Sequence, residues 1–375
     1  MKIALVLDDS IDRPDGVQQY VRSLGGHLAS AGHDVHYVCS VSESTDPAVH
    51  SLARNASVRF NGNGLRTPLP ASRRRIREFL DAERFDVIHV QTPHSPVFAG
   101  LVVDEARKLQ ARSVRIVATF HILPHGRVSA WATRALGTVL RRNLRKFDAF
   151  AAVSAPAAGF ARDSFGIDCT VIPIGIDVAG FADAVRKPRP PRGDGDPLVV
   201  SFLGRLVARK GVLELIDAIA LLPAALLGRL EVRVGGKGPL LGEAEAAIAA
   251  RGLADVVRMV GFVSEADKPQ FYADADVAVF PATGGESFGI VLIEAMASGA
   301  GVVLAGANPG YLSVIGDRPE VSVDATDTEA FAAALATLLS DGALRAELHA
   351  EQAARITSFD LSLVGARVVS ELYRA

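Results

Sequence analysis

The stretch DVAVFPATGGESFGIVLIEAM (276–296) decides how the chain folds. Its β-branched start reads as a buried parallel strand, its Gly-rich middle as a loop and its apolar end as a helix. A loop of this kind entering a helix presents backbone N–H groups and the positive end of a dipole to an anion. The groups concerned lie at Gly285, Phe288, Gly289, Ile290 and Val291, within residues 284–291. Glu286 sits in the loop and Glu294 about two turns into the helix, so one acid can grip sugar hydroxyls and the other ribose hydroxyls. The plainer reading has both acids complement a helix start or face solvent.

Working outward, FLGRLVARKG (202–211) again follows a strand and precedes a helix. It sets Arg205 and Lys210 at a βα turn, where cations can stabilise the charge that grows on a diphosphate leaving group. By itself the motif reads as solvated basic residues at a turn, and beside the first motif in the same half of the chain it reads as a diphosphate site. The same rhythm fills the rest of the sequence. KIALVL, a helix near 16–31, DVHYVC, FDVIHV, a helix near 96–111, RIVATF, AFAAVS and CTVIPI come first. After KPRPPRGDGDP (187–197) come LVVSFLGRL, a helix near 211–222, LEVRVGG, a helix near 239–251, VVRMVGFV, DVAVFP, a helix from about 289 to 298, GVVLA and a helix near 327–339. Repeated βα units with buried strands predict an α/β chain of two doubly wound, Rossmann-like domains whose strand ends face a central cleft. The expected boundaries are 1–180, a linker over 181–197, and 198–357, with an amphipathic tail of about 358–375 folding back onto the first domain.

Composition narrows the functional classes. The 375 residues are 49% hydrophobic and 22% charged, with 34 Gly and 19 Pro spread along the chain, which excludes collagen-like and disordered classes. A formal net charge of −2 argues against a nucleic-acid partner recruited by bulk charge. The average conceals an asymmetry, +5 over residues 1–180 and −7 over 181–375, so the first half suits an anionic partner. Two distant cysteines, Cys39 and Cys169, and an opening without a basic, cleavable apolar segment point to a cytosolic compartment. No apolar run reaches the roughly 18 residues of a spanning helix.

The first half carries weaker motifs. In DRPDGVQQ (12–19) Gly16 can bring backbone close to a phosphate or sugar at a helix start, or be a simple turn glycine. Thr119-Phe-His121 closes the strand RIVATF, and a histidine there points out of the sheet end or packs as a satisfied core residue. SRRRIREFL (72–80) gathers Ile76, Phe79 and Leu80 on one helix face and Arg73, Arg74, Arg75 and Arg77 on the rest. Such a helix can lie on an anionic bilayer or be an ordinary solvated helix, and residues 127–146 have a similar stripe. Other patterns fail. Asp274-Ala-Asp276 precedes a strand and reads as a turn element, Pro124 spoils a helical zinc pair of His121 and His125, and Gly236-Lys-Gly lacks a third glycine. No metal or nicotinamide site is expected.

Together these residues resemble the retaining GT-B glycosyltransferases of family 4, over essentially the whole chain and with the motifs in order. The resemblance is greatest to the actinobacterial phosphatidylinositol α-mannosyltransferases, through GVQQYV, FNG (60–62), SRRRIREFL, FDVIHVQTPHSP, ATFH and TGGESFGIVLIEAM. It implies a metal-independent hexosyltransferase with no resident cofactor, taking mannose from GDP-mannose to a lipid such as phosphatidylinositol at the cytoplasmic face of the plasma membrane. It also assigns roles. Arg205 and Lys210 would hold the donor diphosphate, Glu286 the sugar, Glu294 the ribose, and Gly16 would close over the phosphates. His121 would contact the sugar. Asp12, Gln18, Asn61 and Thr119 would lie on the acceptor side, and the four arginines at the bilayer. The usual Gly-Gly of the first turn is here Asp15-Gly16, which sets a carboxylate near the diphosphate. The alternatives are a family 4 enzyme with a UDP-sugar donor and another acceptor, a nucleotide-sugar 2-epimerase, and a non-catalytic nucleotide-sugar sensor.

Overall fold

The computed structural model describes residues 1–13, 15–60, 63–68, 71–91, 93–95, 97–109, 114–123, 143–187 and 195–374, with backbone alone over 55–60 and 63–68. They form two compact units, Met1–Gly175 with Leu361–Ala375, and Ile176–Asp360.

In the first unit the strands are β1 (Lys2–Leu7), β2 (Asp34–Cys39), β3 (Val49–Ser51), β4 (Asn55–Phe60), β5 (Asn63–Pro68), β6 (Val87–Val90), β7 (Arg115–Phe120), β8 (Ala149–Ala152) and β9 (Thr170–Val171). β4 and β5 pair as an antiparallel hairpin, and the others form one parallel sheet in the order β3-β2-β1-β6-β7-β8-β9. Each central strand is a short apolar run buried on both faces, as a parallel sheet covered by helices requires. One covering layer is the helix Arg73–Glu83 against Phe98–Lys108, which buries Ile76, Leu80, Phe98 and Val102 with Ile88 beneath. Ser72 caps the arginine helix through Arg75 N, and Arg84 ends it in the left-handed region at φ 54°.

The tail completes this unit. The helix Leu361–Arg367 and the π-helical turn Val368–Tyr373 bury Val364, Val368, Leu372 and Tyr373. Arg115 Nε donates to the Leu372 carbonyl at 2.8 Å, and the Tyr373 hydroxyl lies 2.9 Å from His89 Nδ1.

The second unit holds β10 (Leu198–Leu203), β11 (Leu230–Gly235), β12 (Val257–Gly261), β13 (Val277–Phe280), β14 (Val302–Gly306) and β15 (Ser322–Val323). Its parallel sheet runs β12-β11-β10-β13-β14-β15, with β10 buried along its whole length. The helices over Val212–Ala220, Leu241–Ala250, Ile290–Ala297 and Thr328–Ser340 fall within a few residues of the sequence expectation. The helix Gly342–Ile356 does not appear in that expectation. Within the expected linker, Arg186 pairs with Asp267 at 3.0 Å and Lys187 N donates to Gln270 Oε1 at 2.9 Å, both partners being in the second unit. Asp274 pairs with Arg233 at 2.9 Å and Asp276 accepts from Val199 N at 2.8 Å, so both acids of the D-x-D pattern are engaged within the fold.

Candidate active site

In a doubly wound sheet ligands bind beyond the carboxyl ends of the strands, where the strand order reverses. In the second unit that point lies between β10 and β13, and the loops after these two strands are the two motifs singled out above. They are tied together, since Thr283 N donates to the Arg209 carbonyl at 3.0 Å. Lys210 Nζ lies 2.8 Å from Glu286 Oε1, and Arg209 also pairs with Glu286. Burial lowers the Lys210 pKa, Glu286 lifts it, and Arg209 and Arg205 lower it again, with a net depression. Arg205 itself is exposed. Two cations on one carboxylate, with a third cation near, leave a net positive site. Arg209 is the member that sequence reading missed, because between Arg205 and Lys210 it looks like one more solvated base.

The glycines explain the loop. Gly289, at φ 131°, immediately precedes the helix Ile290–Ala297, which has no side-chain cap, so the first N–H groups remain for an anion. A Cβ on Gly310 would stand 2.0 Å from the Glu286 carbonyl oxygen, so only glycine lets the next helix press against the loop that carries Glu286. Asn308 fastens the same corner, donating to the Ala282 carbonyl at 3.1 Å and capping Tyr311 N.

Glu294 is 2% exposed. One oxygen meets Lys268 Nζ at 3.3 Å, and the other is buried with no hydrogen-bond partner among the described residues, although Tyr272 lies near. Burial raises its pKa to about 6, against the opposing pull of Lys268. An orphaned carboxylate oxygen is costly in a fold and suited to a ligand hydroxyl. The linkage has a definite sign. The folded chain keeps the Glu294 proton to about pH 6, whereas the unfolded chain releases it from an ordinary 4.5. Stability therefore falls as pH rises through that window and stays lower above it. Glu294→Gln should raise unfolding stability at pH 7.5 by about 2 kcal/mol and much less at pH 4.5, as read from urea denaturation at both values. An equal effect at both would overturn the assignment.

In the first unit the strand order reverses between β1 and β6. Here Asp12 accepts from Ser10 Oγ at 2.9 Å, from Ser42 Oγ at 2.7 Å and from Glu43 N at 2.9 Å. Burial pushes its carboxyl up, these bonds more than offset it, and the pKa is lowered. Gln18 is buried with its amide on the Ser10 carbonyl at 3.3 Å, so Asp12 and Gln18 meet at Ser10. Gly16 opens the helix Gly16–Ser30, and Asp15 occupies the cap position without a side-chain bond to it. Arg13 reaches Asp9 at 3.8 Å. Thr119 lies on β7 and His121 directly follows it, both buried. Thr119 Oγ1 lies 2.7 Å from His89 Nε2, and His121 Nε2 lies 2.8 Å from Gln91 Oε1. Asn61 and most of the 127–146 stripe fall outside the described residues.

The arginine helix divides by role. Arg73 pairs with Asp104 at 3.3 Å and with Glu105 at 3.0 Å, and Arg77 pairs with Glu105 at 2.6 Å. Glu105 is fully buried, and although burial raises its pKa, the bonds from Lys108, Arg77 and Arg73 bring it down to about 2. Among the described residues Arg74 makes only a 3.8 Å approach to Glu78 and is 87% exposed, and Arg75, exposed as well, donates to the Ser51 carbonyl at 3.3 Å. Among the described residues no helix is long and apolar enough to cross a membrane.

Two Rossmann-like units of this strand order, the second with cations and two carboxylates at its switch point, define a GT-B glycosyltransferase. The chain belongs to glycosyltransferase family 4: residues 14–179 match the family described as Glycosyltransferase Family 4, and residues 183–355 match Glycosyl transferases group 1. Phosphatidyl-myo-inositol mannosyltransferase of Mycolicibacterium smegmatis is 34% identical, covering 98% of this chain and 92% of that one. The protein of the same name from Mycobacterium tuberculosis is 32% identical, covering 98% and 96%. Among solved structures, Anabaena HepE in complex with UDP superposes with a TM-score of 0.78 at 17% identity, covering all of both chains. The protein is a hexosyltransferase.

Proposed function

We propose that the protein transfers mannose from GDP-mannose to phosphatidylinositol, with retention at the anomeric carbon, as a peripheral protein on the inner face of the plasma membrane. The observation that carries this is the grouping of Arg205, Arg209, Lys210 and Glu286 at a helix start, in a chain 34% identical to a relative named phosphatidyl-myo-inositol mannosyltransferase. In this reading Arg205, Lys210 and the N–H groups of Gly289, Ile290 and Val291 stabilise the charge that grows on the leaving diphosphate. Glu286 holds the sugar, and the unpartnered oxygen of Glu294 accepts a ribose hydroxyl. The acceptor hydroxyl attacks on the face the nucleotide leaves and gives its proton to a diphosphate oxygen. No resident metal or cofactor takes part. Asp12, Gln18 and Asn61 serve the acceptor, and Arg74 and Arg75 meet lipid phosphates.

The test is a panel of GDP- and UDP-sugars with and without phosphatidylinositol in anionic liposomes, repeated in a chelator. GDP-mannose turnover that climbs steeply with the lipid and ignores the chelator supports the whole reading. Arg74→Glu with Arg75→Glu should then cut vesicle binding at least ~10-fold at low salt. Transfer from another donor, or indifference to lipid, keeps the transferase and discards this donor or acceptor.

A further inference from the structure

Gln91 directly follows β6 and belongs to no motif that sequence reading assigned a role. It is 1% exposed. Its Nε2 donates to the His89 carbonyl at 3.4 Å, and its Oε1 lies 2.8 Å from His121 Nε2. The two contacts orient the amide. Turned over, it would set its oxygen against the His89 carbonyl. With an accepting oxygen on Nε2, the imidazole must carry its proton there.

Among the described residues, the groups found against the ring are uncharged. Tyr20, from the helix Gly16–Ser30, meets it edge-on with centroids 4.9 Å apart. Thr119, on β7, is bonded to His89, which continues to the Tyr373 hydroxyl. The titratable side chains near His121 among the described residues are then His89, His94 and Tyr20. Burial keeps His89 neutral to about pH 3 and His94 to about 4, and raises the Tyr20 phenol. His121 itself is held down to about 3 by burial and by His94.

We propose that Gln91 is a positioning residue that holds His121 as the neutral Nε2–H tautomer, so that the imidazole serves transfer as a fixed dipole and not as a proton carrier. The consequence for turnover rests on the proposed transfer reaction and on the contact of His121 with the sugar that the family resemblance implies, but the hold of Gln91 on the ring does not.

The test is ¹⁵N NMR of histidine-labelled protein, with the His121 signal assigned by its loss in His121→Asn. The expected spectrum shows the proton on Nε2, unchanged from about pH 5.5 to about pH 8. Gln91→Glu sets an anion on that nitrogen. The protonation midpoint should climb to about pH 5–7 and give kcat a matching limb, with the donor KM little changed. Gln91→Leu should mix the tautomers and cost about 10-fold in kcat, the worth of one hydrogen bond. A proton on Nδ1 in the unaltered protein overturns the proposal, as does a His121 that stays neutral to about pH 5 in Gln91→Glu. If Gln91→Leu does not fold, those two measurements decide. If the unaltered protein transfers no sugar from any donor, the proposed function fails while the spectra still decide the role of Gln91.

Discussion

Lys210→Ala should lower turnover at least ~100-fold while the protein stays folded, and Arg205→Ala should do the same, as loss of one leaving-group stabiliser does elsewhere. The argument is electrostatic. Lys210 Nζ sits 2.8 Å from Glu286, beside Arg209 and close enough to Arg205 for each arginine to depress its pKa. A cation already drawn out of water loses little hydration when a diphosphate arrives, and its field is strong where the local dielectric is low. Without Lys210, Glu286 keeps Arg209, so the loop need not collapse. The defect should appear in kcat with a smaller change in donor KM, because leaving-group charge is greatest in the transition state. Steady-state kinetics with GDP-mannose checks it. Near-normal rates in both variants would remove the two residues from the chemistry.

How far the sequence alone carries the fold and the site depends on whether the determinant is local. DVAVFP, LVVSFL and KIALVL are legible because a buried parallel strand needs an unbroken apolar run, and the loops after the first two carry glycine and charge where the sheet order reverses. The helix Gly342–Ile356 escapes notice because its buried side is only Leu348, Gln352 and Ile356, with a polar residue in the middle. Gln352 is there to bond both the N–H and the carbonyl of Val303, a partner 49 residues away. The arginine helix teaches the same lesson. Its basic face is plain in SRRRIREFL, yet nothing nearby in the chain reveals that Glu105 binds Arg73 and Arg77. Arg209 and Gln91 are ordinary residue types whose roles arise only from the side chains the fold sets against them.

Leu372→Ala should destabilise the first unit by about 2–5 kcal/mol, the range for deleting a fully buried aliphatic side chain, although it lies near the far end of the chain from that unit's sheet. Leu372 is 0% exposed, its carbonyl accepts from Arg115 on β7, and its neighbour Tyr373 reaches His89 on β6. The last turn therefore fastens two central strands at once. Around it Val364 and Val368 are each 1% exposed, so the cavity left by the missing side chain has packed walls and little freedom to close. Arg115, His89, Val364 and Val368 all belong to the first unit, so the second unit's own stability should be unchanged. Urea denaturation followed by hydrogen exchange checks both halves of the expectation: protection should drop in β6 and β7 and hold in β10 and β13. Equal losses in the two sheets would mean that the units unfold as one body, and no loss in β6 and β7 would mean that the tail is not part of the first unit's core.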